Sequence, residues 1–171
     1  MKTLPSSSEI FSFPDWVNEN AARTVAAGVV LLTSIYLLTG SGWVLALLAY
    51  GFVARVLSGP TLSPLGQLAT RVIVPALGLP DRQVPGPPKR FAQGIGAVLS
   101  LTGVALHLGG MTTVAMIVVA MITGAAFLEA AFGFCLGCTI FGRLMAAGVL
   151  PESICVACND ISTRLAPASS R

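Results

Sequence analysis

The sequence predicts an all-α fold: a four-span transmembrane helix bundle of two helical hairpins, with a cytoplasmic interfacial amphipathic helix between them. Three observations predict it. Apolar residues make up 54% of the 171 and charged residues only 10%, against roughly 25% charged in an ordinary globular domain. Two long blocks, residues 24–54 and 91–128, carry no Asp, Glu, Lys or Arg. Each is broken near its centre by glycines, in Thr39-Gly40-Ser41-Gly42 and in His107-Leu108-Gly109-Gly110.

Taken in order, residues 1–20 form a mostly polar cytoplasmic segment, with Ser6-Ser7-Ser8 in a stretch expected to be disordered. No signal-peptide pattern is expected there, since no short apolar core precedes a small-residue cleavage site. Residues 21–57 form the first hairpin. The block is too long for one upright helix at about 20 residues per span, so it divides into helices over 21–38 and 43–57. Both are short, and Arg23 and Arg55 are expected to snorkel to one interface.

Residues 58–90 form the cytoplasmic connection. Leu62, Leu65, Leu68, Val72, Ile73 and Ala76 recur at helical spacing, with Gln67 and Arg71 on the other side. That pattern suits a helix lying in the interface plane, started by Pro60 and Pro64 and kinked or ended by Pro75. Residues 79–90, rich in proline, are read as an extended strap with no helix. Residues 91–141 form the second hairpin, with helices over 91–106 and 111–134, the latter open to extension as far as Phe141. Residues 142–171 are a cytoplasmic tail whose last residues, 166–171, read as disordered.

Charge sets the orientation. In a four-span arrangement all ten basic residues fall on one side: Lys2, Arg23, Arg55, Arg71, Arg82, Lys89, Arg90, Arg143, Arg164 and Arg171. The positive-inside rule places that side, with both termini, in the cytoplasm of an inner (plasma) membrane. Trp16 and Trp43 fit opposite interface belts. The net charge of +3 has no basic stripe with interleaved aromatics, which excludes nucleic acid as a partner. There is no nucleophile–His–acid set, no phosphate-binding glycine loop and no series of charges to line a pore.

The chemistry lies in the four cysteines, Cys135, Cys138, Cys155 and Cys158, spaced C-x2-C-x16-C-x2-C. Two readings fit. In the first, all four thiolates close one tetrahedral Zn²⁺ site of the structural kind, stapling the tail to the last span; Arg143 and Arg164 offset its negative charge. In the second, each C-x-x-C cycles between dithiol and disulfide, one thiolate attacking and the other resolving. Two such pairs relay electrons or sulfur, with Cys155 and Cys158 the exchange pair and Cys135 and Cys138 the membrane-side pair. Against both stands the plain reading of cysteines as small buried residues. Apolar flanks (Phe134, Leu136, Ile140, Phe141) raise a thiol's pKa unless a helix end or a cation opposes them.

Four other features stand out. Glu129 is the one acid inside an apolar block; it is expected to pair with Arg143 or with a basic residue of the strap, the alternative being a functional ionisable group. His107 stands alone at the far turn, with no second histidine to make a site. Gly133 and Gly137 form a G-x-x-x-G read as close helix packing. Lys89-Arg90 read as solvated topogenic charges, with anionic lipid headgroups as the other candidate partner.

Three segments carry a family resemblance: Val84-Pro85-Gly86-Pro87-Pro88-Lys89-Arg90-Phe91-Ala92-Gln93, Gly133-Phe134-Cys135-Leu136-Gly137-Cys138 and Cys155-Val156-Ala157-Cys158. In these the chain resembles a family of small bacterial integral membrane proteins of undefined function, over roughly residues 18–161. The resemblance implies a domain of unknown function, encoded at times near thioredoxin-like and rhodanese-like sulfur-transfer proteins. It therefore implies thiol or sulfur handling, with such a soluble protein, or a larger membrane complex, as partner. Likeness to the four-span quinone-linked disulfide-forming membrane proteins is weaker, because those place their reactive cysteines on the outer face.

Overall fold

A computed structural model describes residues 14–151 together with 154, 155 and 158. Ser6-Ser7-Ser8 and residues 166–171, both expected to be disordered, lie outside the described residues. A short antiparallel ribbon ties the start of the chain to the strap: β1 (Trp16–Asn18) pairs with β2 (Gln83–Pro85), Val17 opposite Val84. The ribbon brings the starts of two long helices together. At its end the Gly86 N–H donates to the Asp15 carbonyl at 2.7 Å. A Cβ on Gly86 would sit 2.1 Å from the Pro14 carbonyl oxygen, so only glycine fits.

Helix α1 (Glu19–Thr39) starts at Asn18, whose side chain accepts from the Ala21 N–H at 3.1 Å. It ends at Gly40, left-handed at φ 65°. Helix α2 (Gly42–Ser58) follows at once, so the Thr39–Gly42 turn lies where the glycines predict. Next come α3 (Pro64–Leu68), a π-helical turn (Ala69–Ile73) and α4 (Val74–Ala76). The π-helical register falls just before Pro75, which has no N–H to give.

Helix α5 (Gly86–Leu108) corrects the sequence reading. Residues 86–90 are helical, not an extended strap. Pro87 and Pro88 occupy the first turn, where a missing N–H costs nothing because no intrahelical acceptor exists for it. Helix α6 (Thr112–Phe132) stops at Gly133, and α7 (Leu136–Ala146) is separate. The last helix therefore does not run on to Phe141, since Gly133 is left-handed at φ 68°.

The four long helices close a ring. Helix α1 packs on α2 and α6, and α5 packs on α2 and α6. Val29, Tyr36, Leu45, Leu48, Phe52, Ala97, Val119 and Ile122 fill its centre. Glycine sets the α2–α5 approach: a Cβ on Gly96 would stand 2.2 Å from the Phe52 ring. Outward faces carry large apolar side chains, Leu31, Leu38, Trp43, Val98, Ile117 and Met121 among them, a surface suited to lipid and not to water. Three helices, α1, α5 and α6, are long and apolar enough to cross a membrane; α2 is apolar but spans 17 residues.

Side-chain contacts define two ends. At one, Tyr36 Oη meets His107 Nδ1 at 3.2 Å, beside the Gly40 and Gly109–Gly110 turns. At the other lie the ribbon, the starts of α1 and α5, the ends of α2 and α6, and α7. Among the described residues, Lys and Arg belong to this second end and to the connection between α2 and α5.

Candidate functional site: a dithiol beside a buried ion pair

The end of α6 leaves carbonyls without intrahelical donors. Two devices satisfy them. Gly133 N–H donates to Glu129 and Phe134 N–H to Leu128, at 2.9 and 3.2 Å. The Arg23 guanidinium donates to the Ala130 and Ala131 carbonyls at 3.0–3.2 Å. Arg23 thus holds a helix C-terminus, where a cation is favoured. The left-handed Gly133 reverses the chain, and two residues later it reaches Cys135.

Cys135 is the N-cap of α7. Its Sγ accepts from the Cys138 N–H at 3.4 Å, the place a Ser or Asp oxygen takes in an ordinary cap. A sulfur at a helix N-terminus is a stabilised thiolate in waiting, because the unpaired N–H groups and the helix dipole face it. Gly137 lies between the two cysteines, flat against α5. A Cβ there would stand 2.5 Å from Ala92 Cβ, so α7 can seat only with glycine. Phe141 and Phe91 continue the contact one turn on, ring centroids 5.6 Å apart.

That seating aims α5's first turn at the cysteines. Lys89, one turn before Ala92, is 8% exposed and ion-paired to Glu129 of α6. Gln93, one turn after Lys89, accepts from Arg55 Nε at 2.9 Å. Arg55 is 4% exposed. Its Nη1 donates to Ser63 Oγ at 3.2 Å, its guanidinium lies 4.6 Å from the Phe52 ring centroid, and its Nη2 is buried without a hydrogen-bond partner.

Three sequence expectations are corrected here. Arg55 does not snorkel to the interface; it turns inward, because Gln93 and Ser63 offer acceptors inside the bundle. Lys89 is not a solvated charge, since Glu129 draws it in. Pairing of Glu129 with a basic residue of the strap is as expected, Lys89 rather than Arg143 being the partner. Gly133-x-x-x-Gly137 is not one helical face: Gly133 is a turn, and only Gly137 is a packing contact.

Cys135 is buried and Cys138 half-buried; both are free thiols, while Cys155 and Cys158 are joined in a disulfide. The hydrogen bond from Cys138 holds the Cys135 thiol below the ordinary thiol range, against burial and the Glu129 charge, with help from Lys89 and the Cys138 N–H. The same hydrogen bond, with burial, pushes Cys138 far up. The pair's hydrogen bond thus favours the thiolate on Cys135 and the thiol on Cys138. Among the described residues no three His, Cys, Asp or Glu side chains group as metal ligands. His107 lies at the far end, its Nδ1 against the Tyr36 hydroxyl.

These features define a helical bundle with a lipid-compatible surface and, at its basic end, a dithiol set against a buried ion pair. The chain belongs to the family described as Domain of unknown function (DUF4395), whose model matches residues 17–146. That span holds Lys89, Glu129, Cys135 and Cys138, and ends before Cys155 and Cys158. No curated protein and no solved structure matches the chain.

Proposed function

We propose that the chain is a four-span inner-membrane protein of two helical hairpins, both termini cytoplasmic, that performs thiol-redox or sulfur-relay work. The α3–α4 segment lies in the cytoplasmic interface. A soluble thioredoxin- or rhodanese-like protein meets Cys155 and Cys158, and Cys135 and Cys138 form the inner pair. The observation that carries this reading is the inner pair's asymmetry: Cys135 caps α7 beside Lys89, and Cys138 donates to it. An attacking thiol needs thiolate character, and its resolving partner must stay protonated until called on. In the step so assigned, Cys135 Sγ⁻ attacks a disulfide or persulfide sulfur, and the departing sulfur leaves with the electron pair. Cys138 then loses its proton and attacks Cys135 Sγ, closing the disulfide and releasing the bound group as a second thiolate.

The relay is tested by Cys138→Ser and Cys158→Ser, each of which removes a resolving thiol. Each should accumulate a mixed disulfide, the first with the outer pair and the second with a soluble partner, both discharged by dithiothreitol. The competing outcome is one Zn²⁺ per chain held by Cys135, Cys138, Cys155 and Cys158, with no trapped species and with loss of the folded tail on chelation.

A further inference from the structure

The inner pair has one ion pair within electrostatic reach of both its sulfurs. Lys89 Nζ is bonded to Glu129 Oε1, and both side chains are largely buried. Gly137, beside Cys138, seats α7 against Ala92, one turn beyond Lys89 on α5. Glu129 lies in the last turn of α6, where its carbonyl accepts from Gly133 just before the chain reaches Cys135. The Lys89 charge favours the thiolate at each sulfur, and the Glu129 charge opposes it at each. Lys89 from α5 and Arg55 from α2 act on Glu129 in turn. The other charges of this end are engaged elsewhere. Glu19 holds Arg82 at 2.9 Å, Arg23 caps α6, and Arg143, two turns along α7, is exposed. Glu129 is thus the carboxylate among the described residues that acts on Cys138.

While Cys135 is a thiolate, Cys138 keeps its proton and donates it in a hydrogen bond to that sulfur. Once Cys135 has attacked, its sulfur is uncharged and holds that proton far less well. One negative charge has also left the group, so a second thiolate forms more readily beside Lys89. The proton then needs an acceptor. We propose that Glu129 accepts the Cys138 proton when the inner disulfide closes, with Lys89 steadying the thiolate left behind. The proposal rests on the dithiol reading above and adds the residue that releases its second thiol. The step balances. With Cys135 joined to the incoming sulfur as a mixed disulfide, the Cys138 proton passes to Glu129 Oε2 and its electron pair stays on Sγ. That thiolate attacks Cys135 Sγ, the new S–S bond forms, and the bond to the incoming sulfur breaks. The departing sulfur takes the electron pair and then the proton from Glu129. The cysteine pair is oxidised, and the bound group is reduced to a thiol. The transfer to Glu129 is uphill and brief, since closure consumes the thiolate.

The test uses the full chain in detergent with Cys155→Ser and Cys158→Ser, so that only the inner pair reacts, and neutral dipyridyl disulfide as the oxidant. The first pyridinethione released reports attack by Cys135 and scales with reagent concentration. The second reports closure by Cys138 and does not. With Glu129 in place, closure should be flat in rate around neutral pH. Glu129→Gln should slow it on the order of a hundredfold, the contribution of one acid–base group, and make it climb with pH. Attack by Cys135 should hold or speed up in the same variant, because an opposing charge has gone. Glu129→Asp, which keeps a carboxylate, should restore much of the closure rate and the flat profile. Closure that is unchanged or faster in Glu129→Gln, as a change of charge alone would make it, overturns the proposal. So does closure that climbs with pH throughout with Glu129 in place, a result that needs no variant to fold. A missing second release removes the dithiol reading and this proposal with it, whereas closure indifferent to Glu129 removes this proposal alone.

Discussion

Removing one member of the Lys89–Glu129 pair should destabilise the bundle far more than removing both. The two side chains are 10% and 15% exposed, so whichever remains is a charge held largely out of water. Breaking such a pair costs about 3–5 kcal/mol, and the slight exposure here places the expected loss near the lower end. The two single variants differ. Lys89→Met leaves Glu129 with Arg55 still acting on it, and about 2 kcal/mol is expected by the same reasoning. Glu129→Gln leaves two buried cations with no carboxylate, and about 3 kcal/mol or more is expected. The double variant keeps side chains of similar volume and leaves Arg55, held by Gln93 and Ser63, as the one buried cation without a carboxylate, so it should recover much of the loss. The assay is denaturant unfolding in mixed micelles followed by circular dichroism, run as a double-mutant cycle. Single effects under about 0.5 kcal/mol, as for an exposed pair, or effects that add within about 0.5 kcal/mol, would refute a buried and coupled pair.

Other outcomes follow from the same geometry. Gly137→Ala places a methyl 2.5 Å from Ala92 Cβ; α7 must lift, at about 1–3 kcal/mol, and Cys135 should become faster to modify by a bulky maleimide. With pH, Cys135 holds its thiolate below the ordinary thiol range and Cys138 does not. Cys135 alkylation should therefore rise and level off below that range, while Cys138 alkylation stays slow and still climbs at alkaline pH; mass mapping of labelled peptides checks the order. The shifts have opposite linkage signs. Cys135 contributes stability above its unfolded pKa that is lost as pH falls through the folded one. Cys138 contributes stability below its unfolded pKa that is lost as pH rises. Tyr36→Phe removes the bond to His107 at the far end, at about 1 kcal/mol, and should leave the Cys135 alkylation rate unchanged.

The long helices were legible because their signals are coarse: uncharged blocks, and glycines where the chain turns. Boundaries missed by a few residues where a local rule outranked composition. Pro87 and Pro88 read as strap residues because proline breaks helix interiors, yet a helix's first turn tolerates them, and only the ribbon at Gly86 fixes where that turn starts. Glu129 was legible as the lone acid beside an apolar block. Its partner was narrowed to a few cations and no further, since the choice of Lys89 depends on how α5 packs against α6. Arg55 was misread because sequence shows a cation at a helix end but not the acceptors inside the bundle. The cysteine spacing named both chemistries and could not rank them, because sulfur-to-sulfur geometry depends on the Gly133 turn and on the path to the tail.

The most direct measurement is a redox titration of the full-length protein purified without added metal or chelator. Differential alkylation and intact mass are read at each potential, with elemental analysis on the same sample. Metal-free protein in which Cys135 and Cys138 convert together, gaining and losing two alkyl groups as one unit, is the expected result. One zinc per chain, with all four cysteines silent until denaturation and chelation, would contradict the relay and make the cysteines a structural clamp.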